Sequence, residues 1–430
     1  MSALNYGLTQ KMKPISPRRS AIVAALDVGS SKVACLIARL RPHPPQQVLM
    51  RRSHSIEVLG FGHIGARGTK AGAVVNLKQA EESIRQAVDW AERAAAVDVE
   101  SVVLSISAGR LASESFAAEV EIVGAAVSEG DIARLLAAGS RHSLPVGYSI
   151  DGGNGVRDPR GMLGERFGVE MHVATADLTP ARNLMLAVER CHLVVEAMVA
   201  GPYVAGLAVL ADDEADLGAA VIDMGAGTTT MAVFLGGRFV QADGFALGGH
   251  HITMDIARGL NVRIDDAERI KTFHGSVLVG ASDERDMLTV SHVGEETRES
   301  PQFVSRSALV HVIRPRAEEI LEMARHRLAA SSFAAEPRGR VILTGGASQL
   351  PGLPELAARI FDRPVRIGRP LGIGGLPDAA KGAAFAAAAG LLVYPQAAHL
   401  EHFETRGARY PMSGKGGYFA RVGRWLRESF

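Results

Sequence analysis

The chain has little cysteine, few aromatic residues, almost no net charge and no long apolar run. Its 430 residues include only two cysteines, Cys35 and Cys191, in apolar surroundings and without metal or redox spacing. That pattern excludes a disulfide framework and points to a reducing cytoplasm. Aromatics make up 5% and the formal net charge is +1, so no global attraction to nucleic acid is implied and no nucleic-acid partner is expected. The longest apolar run, residues 382–394, is too short to span a bilayer and reads as a buried helix. No P-loop, H-E-x-x-H or G-x-S-x-G motif occurs. A formal G-x-G-x-x-G does occur at residues 60–65, but a dinucleotide fingerprint must open a helix directly. Here the next helix begins only after Asn76, which can cap it with Gln79 three residues on. Arg18-Arg19 before an apolar stretch has the form of a twin-arginine signal, but Asp27 cuts the run too early for an apolar signal region.

What is present is Ala-rich and 47% hydrophobic, which fits a soluble α/β protein, and the length calls for several domains. The informative stretch is residues 219–235, where an apolar run ends in Asp223, followed by Gly225-Ala226-Gly227, the hydroxyls Thr228 and Thr229, and a second apolar run. Glycines allow a tight turn and close backbone approach to a ligand. Consecutive turn amides can hold an anion such as phosphate. A lone copy would also fit an ordinary β-hairpin. Residues 25–37 repeat the grammar: strand, Asp27, Gly29, Ser30, Ser31, Lys32, strand. Two such hairpins suggest a duplicated fold gripping one polyphosphate from both sides. Asp27 and Asp223 could hold Mg2+ through water, since Mg2+ keeps several waters and takes few carboxylates. A third piece, residues 341–352, is a strand that breaks at Gly345-Gly346-Ala347 before a helical segment.

These three pieces, in this order, resemble the actin, sugar-kinase and chaperone ATPase superfamily over roughly residues 20 to 394. Between the first hairpin and the next helices lies a β-rich unit containing Tyr148-Ser-Ile-Asp-Gly152 and then Asp158-Pro-Arg-Gly-Met162. That pair is similar to the inserted subdomain of the FtsA family, the actin-like bacterial cell-division proteins. The resemblance implies a duplicated actin-like ATPase fold with nucleotide in the interdomain cleft, a β-rich inserted subdomain and a C-terminal amphipathic helix.

The expected organisation is a tail at 1–19 and a first actin-like domain at 20–100 with 175–208 and 378–394. The insertion is placed at 101–174, the second domain at 209–255 with 316–377, its outer subdomain at 256–315, a linker at 395–414 and the amphipathic helix at 415–430. The family implies ATP and Mg2+ as cofactors, and as partners the FtsZ C-terminal peptide, further copies of the chain in a polymer, anionic inner-membrane lipid and later division membrane proteins. It also implies a peripheral location on the cytoplasmic face of the inner membrane at the division site.

Candidate nucleotide contacts are the residues of both turns named above together with Gly248, Glu268, Lys271 and the Gly345-Gly346-Ala347 break. Glu268 and Lys271 lie three apart on one helix face and would also serve as a surface ion pair. His250-His251 invites a metal reading, but adjacent helical residues point about 100° apart and cannot chelate together. Where MreB and chaperone ATPases carry a water-orienting Glu, this chain has Gly201, which has no side chain to position water. The resemblance therefore implies at most weak ATPase activity, and no catalytic residue is assigned. Arg306 is a candidate contact for the FtsZ peptide and equally an ordinary exposed arginine.

The last stretch has Tyr418, Val422, Trp425 and Leu426 at helical spacing with Phe419 and Phe430 flanking, and Arg421, Arg424 and Arg427 as its basic side. This is the pattern of an interfacial membrane helix, although a tail packed on its own domain or a partner would read similarly. A pilus-assembly protein of the PilM kind shares the fold and is the alternative; it would not be expected to carry this tail.

Overall fold

The computed structural model describes residues 12, 15–43, 49, 52–108, 111–122, 124, 126–128, 130–132, 135, 144–156, 158–290 and 302–398. The amphipathic tail at 415–430 and most of the 395–414 linker lie outside the described residues, as do most of residues 129–143.

The first half opens with β1 (Ala21–Val28), β2 (Lys32–Pro42) and β3 (His54–Gly65), then the small hairpin β4 (Thr69–Lys70) and β5 (Ala73–Val74). Helix α1 (Leu77–Ala95) and strand β6 (Ser101–Ile106) follow. The Asn76 side chain accepts from the Gln79 amide at 3.1 Å, which supplies the N-cap. The apolar stripe of α1 buries Ala80, Ile84, Ala87, Val88 and Ala91 against the sheet. Burial of Ile84 and Val88 alone contributes on the order of 1.5–3 kcal/mol each. Gly60 and Gly62 lie inside β3, not at a strand-to-helix turn. A Cβ on Gly62 would meet the Ala87 carbonyl at 2.0 Å, so these glycines let α1 lie against the strand and bind no phosphate.

The inserted unit contributes β7 (Ala112–Glu121), β8 (Leu144–Ile150), β9 (Gly153–Val156) and β10 (Arg166–Thr175), arranged β7-β10-β8-β9. Phe167, Met171 and Leu135 form its small core. The Asp151 carboxylate caps the turn after β8, accepting from the Glu165 and Arg166 amides at 3.0 and 2.8 Å. The chain then returns through α2 (Leu178–Glu189), β11 (Val194–Ala200) and α3 (Gly201–Val209).

The second half runs α4 (Asp212–Leu217), β12 (Ala219–Met224), β13 (Thr229–Leu235), β14 (Arg238–Phe245), α5 (Gly249–Gly259) and α6 (Ile264–His274). Helix α6 has Arg263 as N-cap and carries Asp265 and Asp266 in its first turn. After β15 (Met287–Val290) and β16 (Gln302–Ser305), α7 (Arg306–Ala329) begins with Ser305 accepting from the Ala308 amide at 3.2 Å. Pro315 lies inside α7 without ending it. Strand β17 (Arg340–Thr344), α8 (Leu353–Phe361), β18 (Val365–Ile367), β19 (Ile373–Gly374) and α9 (Ala386–Ala397) complete the described chain.

The two large sheets repeat each other over five strands, and the first adds β19 at its edge. One runs β11-β6-β1-β2-β3-β19 and the other β18-β17-β12-β13-β14. In each, a meander of three antiparallel strands is followed by strands that add parallel to its first strand. Helices α3 and α9 are buried between the halves, in one core with residues of both sheets.

Two crossovers join the halves, at 209–218 and 368–375. Arg52, only 8% exposed, donates to the carbonyls of Leu207 at 3.1 Å, Leu371 at 2.6 Å and Gly372 at 3.2 Å. Arg366 reaches the Val209 carbonyl at 2.8 Å and Glu214 at 2.7 Å. Both arginines satisfy carbonyls at the open end of α3 and tie it to the crossovers.

The inserted sheet is docked on β14. The Ser113 hydroxyl donates to the Ala242 carbonyl at 2.9 Å and lies 2.8 Å from His172 Nε2, while Arg238 donates to the Val146 carbonyl. Burial pushes the His172 imidazole down to about 4.

Candidate functional site

The repeated sheets bring two matched turns face to face. In the first, the Gly29 amide donates to the Lys32 carbonyl at 2.9 Å; in the second, the Gly225 amide donates to the Thr228 carbonyl at 2.9 Å. Asp27 and Asp223 occupy the same position, second from the end of β1 and β12. Between them lies a cleft of about 330 Å³, lined by both aspartates, by Gly29–Lys32 and by Gly225–Thr228. Glu268, Lys271 and the Gly345–Ala347 break close its other side.

Each wall is held by its own bonds. Ser105 donates to Asp27 Oδ1 at 2.5 Å, Thr69 donates to the Gly29 carbonyl at 2.8 Å, and the Gly72 amide donates to Ser30 Oγ at 2.7 Å. On the opposite wall the Gly249 and His250 amides, at the start of α5, donate to the carbonyls of Gly225 and Ala226 at 2.9 and 2.8 Å. Gly345 takes φ +84 with ψ 167, and a Cβ there would meet Asp223 Oδ1 at 2.3 Å. Only glycine fits that backbone beside that carboxylate.

Thr229 and Gly248 stand behind the cleft wall rather than on it. Thr229 is fully buried and donates to the Leu247 carbonyl at 2.8 Å. Gly248 caps α5 and packs against the Gly225 carbonyl, where a Cβ would sit at 2.5 Å. His251 Nδ1 accepts from the Gly248 amide at 3.1 Å, so that histidine belongs to the helix cap. Lys271 Nζ is surrounded by Glu268 at 2.7 Å, Thr253 at 2.8 Å and the Gly249 carbonyl at 3.1 Å. It braces α5 against α6 and fixes Glu268, which stays half exposed at the cleft.

The electrostatics of the cleft centre on three groups. Burial pushes the Asp223 carboxyl up to about 7, the nearby Asp27 adds to that, and Lys32 opposes it. Burial lowers the Lys32 ammonium while Asp27 and Asp223 raise it. Lys32 Nζ donates to the Ala384 carbonyl and lies 4.4 Å from the centre of the Phe385 ring. Once Asp223 ionises, two carboxylates face one ammonium and leave negative charge that a hydrated divalent cation would neutralise. Among the described residues no three His, Cys, Asp or Glu cluster as a metal cage. Hard oxygens with room for waters fit Mg2+ held through water.

Sequence reasoning missed Ser107, Gly72, Gln349 and Ala384, which also line the cleft. Gln349 lies just past the Gly345-Gly346-Ala347 break, while the other three come from segments without a motif; Ala384 meets Lys32 across 352 residues of chain.

Away from the cleft, the guanidinium of Arg306 is already engaged. It donates to the His274 carbonyl at 3.2 Å and pairs with Asp283 at 3.5 Å, pinning the start of α7 to α6. Arg314 pairs with Glu318 at 2.7 Å, and Arg316 with Asp255 at 2.6 Å. The same outer region exposes Phe273 (75%), Phe303 (59%) and Met287 (52%). Strand pairing places Met287 opposite Ser305 and Thr289 opposite Phe303, so Met287 and Phe303 share one face of the hairpin.

Known proteins give the chain its kinship. The family model "Cell division protein FtsA" matches residues 220–390, and the model "SHS2 domain inserted in FTSA" matches residues 108–175. The cell division protein FtsA of Agrobacterium fabrum is 49% identical, covering 99% of this chain and 98% of its own. That of Escherichia coli K12 is 30% identical, covering 95% and 98%. Among solved structures, a PilM-PilN type IV pilus biogenesis complex aligns with a TM-score of 0.58 at 16% identity, covering 87% of this chain and 98% of that one. Spiroplasma citri MreB5 bound to ADP aligns with a TM-score of 0.50 at 14% identity, covering 82% and 92%. These structural likenesses establish an actin-like fold, and the likeness to PilM goes no further than that. Identity over nearly the whole length, together with both family models, decides the matter: the chain belongs to the FtsA family of cell division proteins.

Proposed function

We propose that the chain binds ATP with Mg2+ between its two Asp-x-Gly turns and acts as an actin-like scaffold of cell division. In this reading it links FtsZ filaments to the cytoplasmic face of the inner membrane, polymerises, and recruits later division membrane proteins at the division site. The observation that carries the nucleotide half is the pair of matched turns, with Asp27 and Asp223 facing one cleft. Backbone amides of the turns would take the phosphates, and the two carboxylates would hold waters of Mg2+. The metal would neutralise phosphate charge; Glu268 would face the ribose and adenine. Gly201, in place of a water-orienting glutamate, supports slow turnover.

The subdomain divisions given above, with 256–315 as the outer piece, belong to the same reading. The exposed Phe273, Met287 and Phe303 offer that piece an apolar face for the FtsZ tail peptide, with Arg306, a third exposed, at its edge. Residues 415–430 supply the membrane helix by their sequence pattern alone. Lys415 and the three arginines would contribute about 1 kcal/mol each near an anionic leaflet. Polymerisation would then multiply weak single attachments.

A fluorescent fusion tests the proposal in cells. A midcell band that vanishes when FtsZ is depleted is the expected result. A band that persists without FtsZ, or diffuse fluorescence at normal FtsZ levels, would defeat the scaffold role.

A further inference from the structure

Ser107 follows β6, and Ser105 two residues earlier is bonded to Asp27, so this end of the strand is tied to a cleft carboxylate. Ser107 is half-buried and lines the cleft beside Asp27, Asp223 and Thr228. With Thr228 it also lines a second cleft of about 1300 Å³ beneath the inserted sheet and β14. The two residues therefore stand on the wall that the clefts share, with solvent on the far side. Across from Ser107, α3 begins at Gly201, and a Cβ built on Gly201 would sit 2.1 Å from Ser107 Oγ. The hydroxyl thus fills the space where any side chain at position 201 would start.

We propose that Ser107 positions the water that attacks the terminal phosphate, in place of a side chain at 201. The inference rests on the Mg-ATP reading of the cleft. In the step, the water oxygen bonds to the terminal phosphorus as the bridging P–O bond breaks, and the electron pair of that bond leaves with ADP. The water's proton passes to a phosphate oxygen, because a serine hydroxyl accepts and donates hydrogen bonds but is too weak a base to remove it. Ser107 is a positioning residue. Without a general base, which supplies roughly 10²–10⁴-fold elsewhere, turnover is slow. The second cleft supplies the water and gives the released phosphate a way out past Thr228.

Single-turnover hydrolysis of Mg-ATP by the full chain, with ATP affinity measured by calorimetry on the same samples, tests this. Ser107→Ala should cut the rate by at least about tenfold, the scale of a misplaced reactant, and leave affinity unchanged. Ser107→Thr, which keeps the hydroxyl, should retain the rate. Gly201→Ala, whose new methyl group displaces the hydroxyl, should reproduce the loss. Parental turnover in Ser107→Ala, a proportional fall in affinity and rate, or no turnover in the parent while ATP binds, would each overturn the proposal. Absence of ATP binding in the parent would instead remove the nucleotide reading beneath it.

Discussion

Replacing Gly345 with alanine strikes the cleft and the fold at one point. Gly345 holds φ +84 and ψ 167, a region occupied almost only by glycine. Forcing alanine there costs about 1–3 kcal/mol. The new Cβ would stand 2.3 Å from Asp223 Oδ1 and 2.5 Å from the Met224 carbonyl. The first neighbour is a side chain that can rotate, but the second is backbone at the end of β12, the central strand of its sheet. Relieving that overlap adds about 1–3 kcal/mol. Together the terms give roughly 2–6 kcal/mol, with Asp223 the atom group most free to yield. Gly345→Ala should lower the urea midpoint and, in whatever fraction stays folded, weaken Mg-ATP binding because Asp223 is pushed off its position. Equilibrium unfolding followed by calorimetry at low temperature reads both. Parental stability together with parental affinity would refute the argument from close approach.

Other parts of the fold make separate demands. Arg52→Met removes a buried guanidinium from three carbonyls at the crossovers. At about 1.5–3 kcal/mol for a hydrogen bond to a charged group, discounted for non-additivity, the loss should be ~2–4 kcal/mol in urea unfolding. His172 is fully buried and its imidazole is held down to about 4 from an ordinary 6.5. The unfolded chain therefore binds a proton first on acidification, and stability should fall between about pH 6.5 and 4, by up to roughly 3 kcal/mol. His172→Gln should flatten that part of the stability profile, and an unchanged slope would refute the assignment. Trp425→Glu should release the chain from anionic vesicles while ATP binding persists; full sedimentation with vesicles would remove the tail from the membrane role.

The sequence made the repeated hairpins readable because their chemistry is local: an acid, a glycine two residues on and then hydroxyls. The start of helix α1 was readable for the same reason, from Asn76 with Gln79 three residues on. Contacts that close the cleft were not readable, because they join distant segments. Nothing near Lys32 announces that Ala384 and Phe385 will surround its ammonium, and nothing near Gly201 points to Ser107. The glycines of β3 imitate a phosphate motif, and only the packing of α1 against them reveals their purpose. The carboxylate partners of Arg306, Arg314 and Arg316 were not readable either, and only Asp283, the partner of Arg306, lies inside 256–315.

The central claim is that the duplicated turns hold one metal–nucleotide complex, and calorimetric titration of ATP into parent and Asp223→Ala chains, with and without Mg2+, tests it most directly. The parent should bind ATP more tightly with Mg2+ than without it. The variant should lose most of that Mg2+ dependence, because the metal's hydration shell loses a carboxylate on one wall of the cleft. Equal affinity in parent and variant at saturating Mg2+, or no ATP binding by the parent at all, would contradict the account.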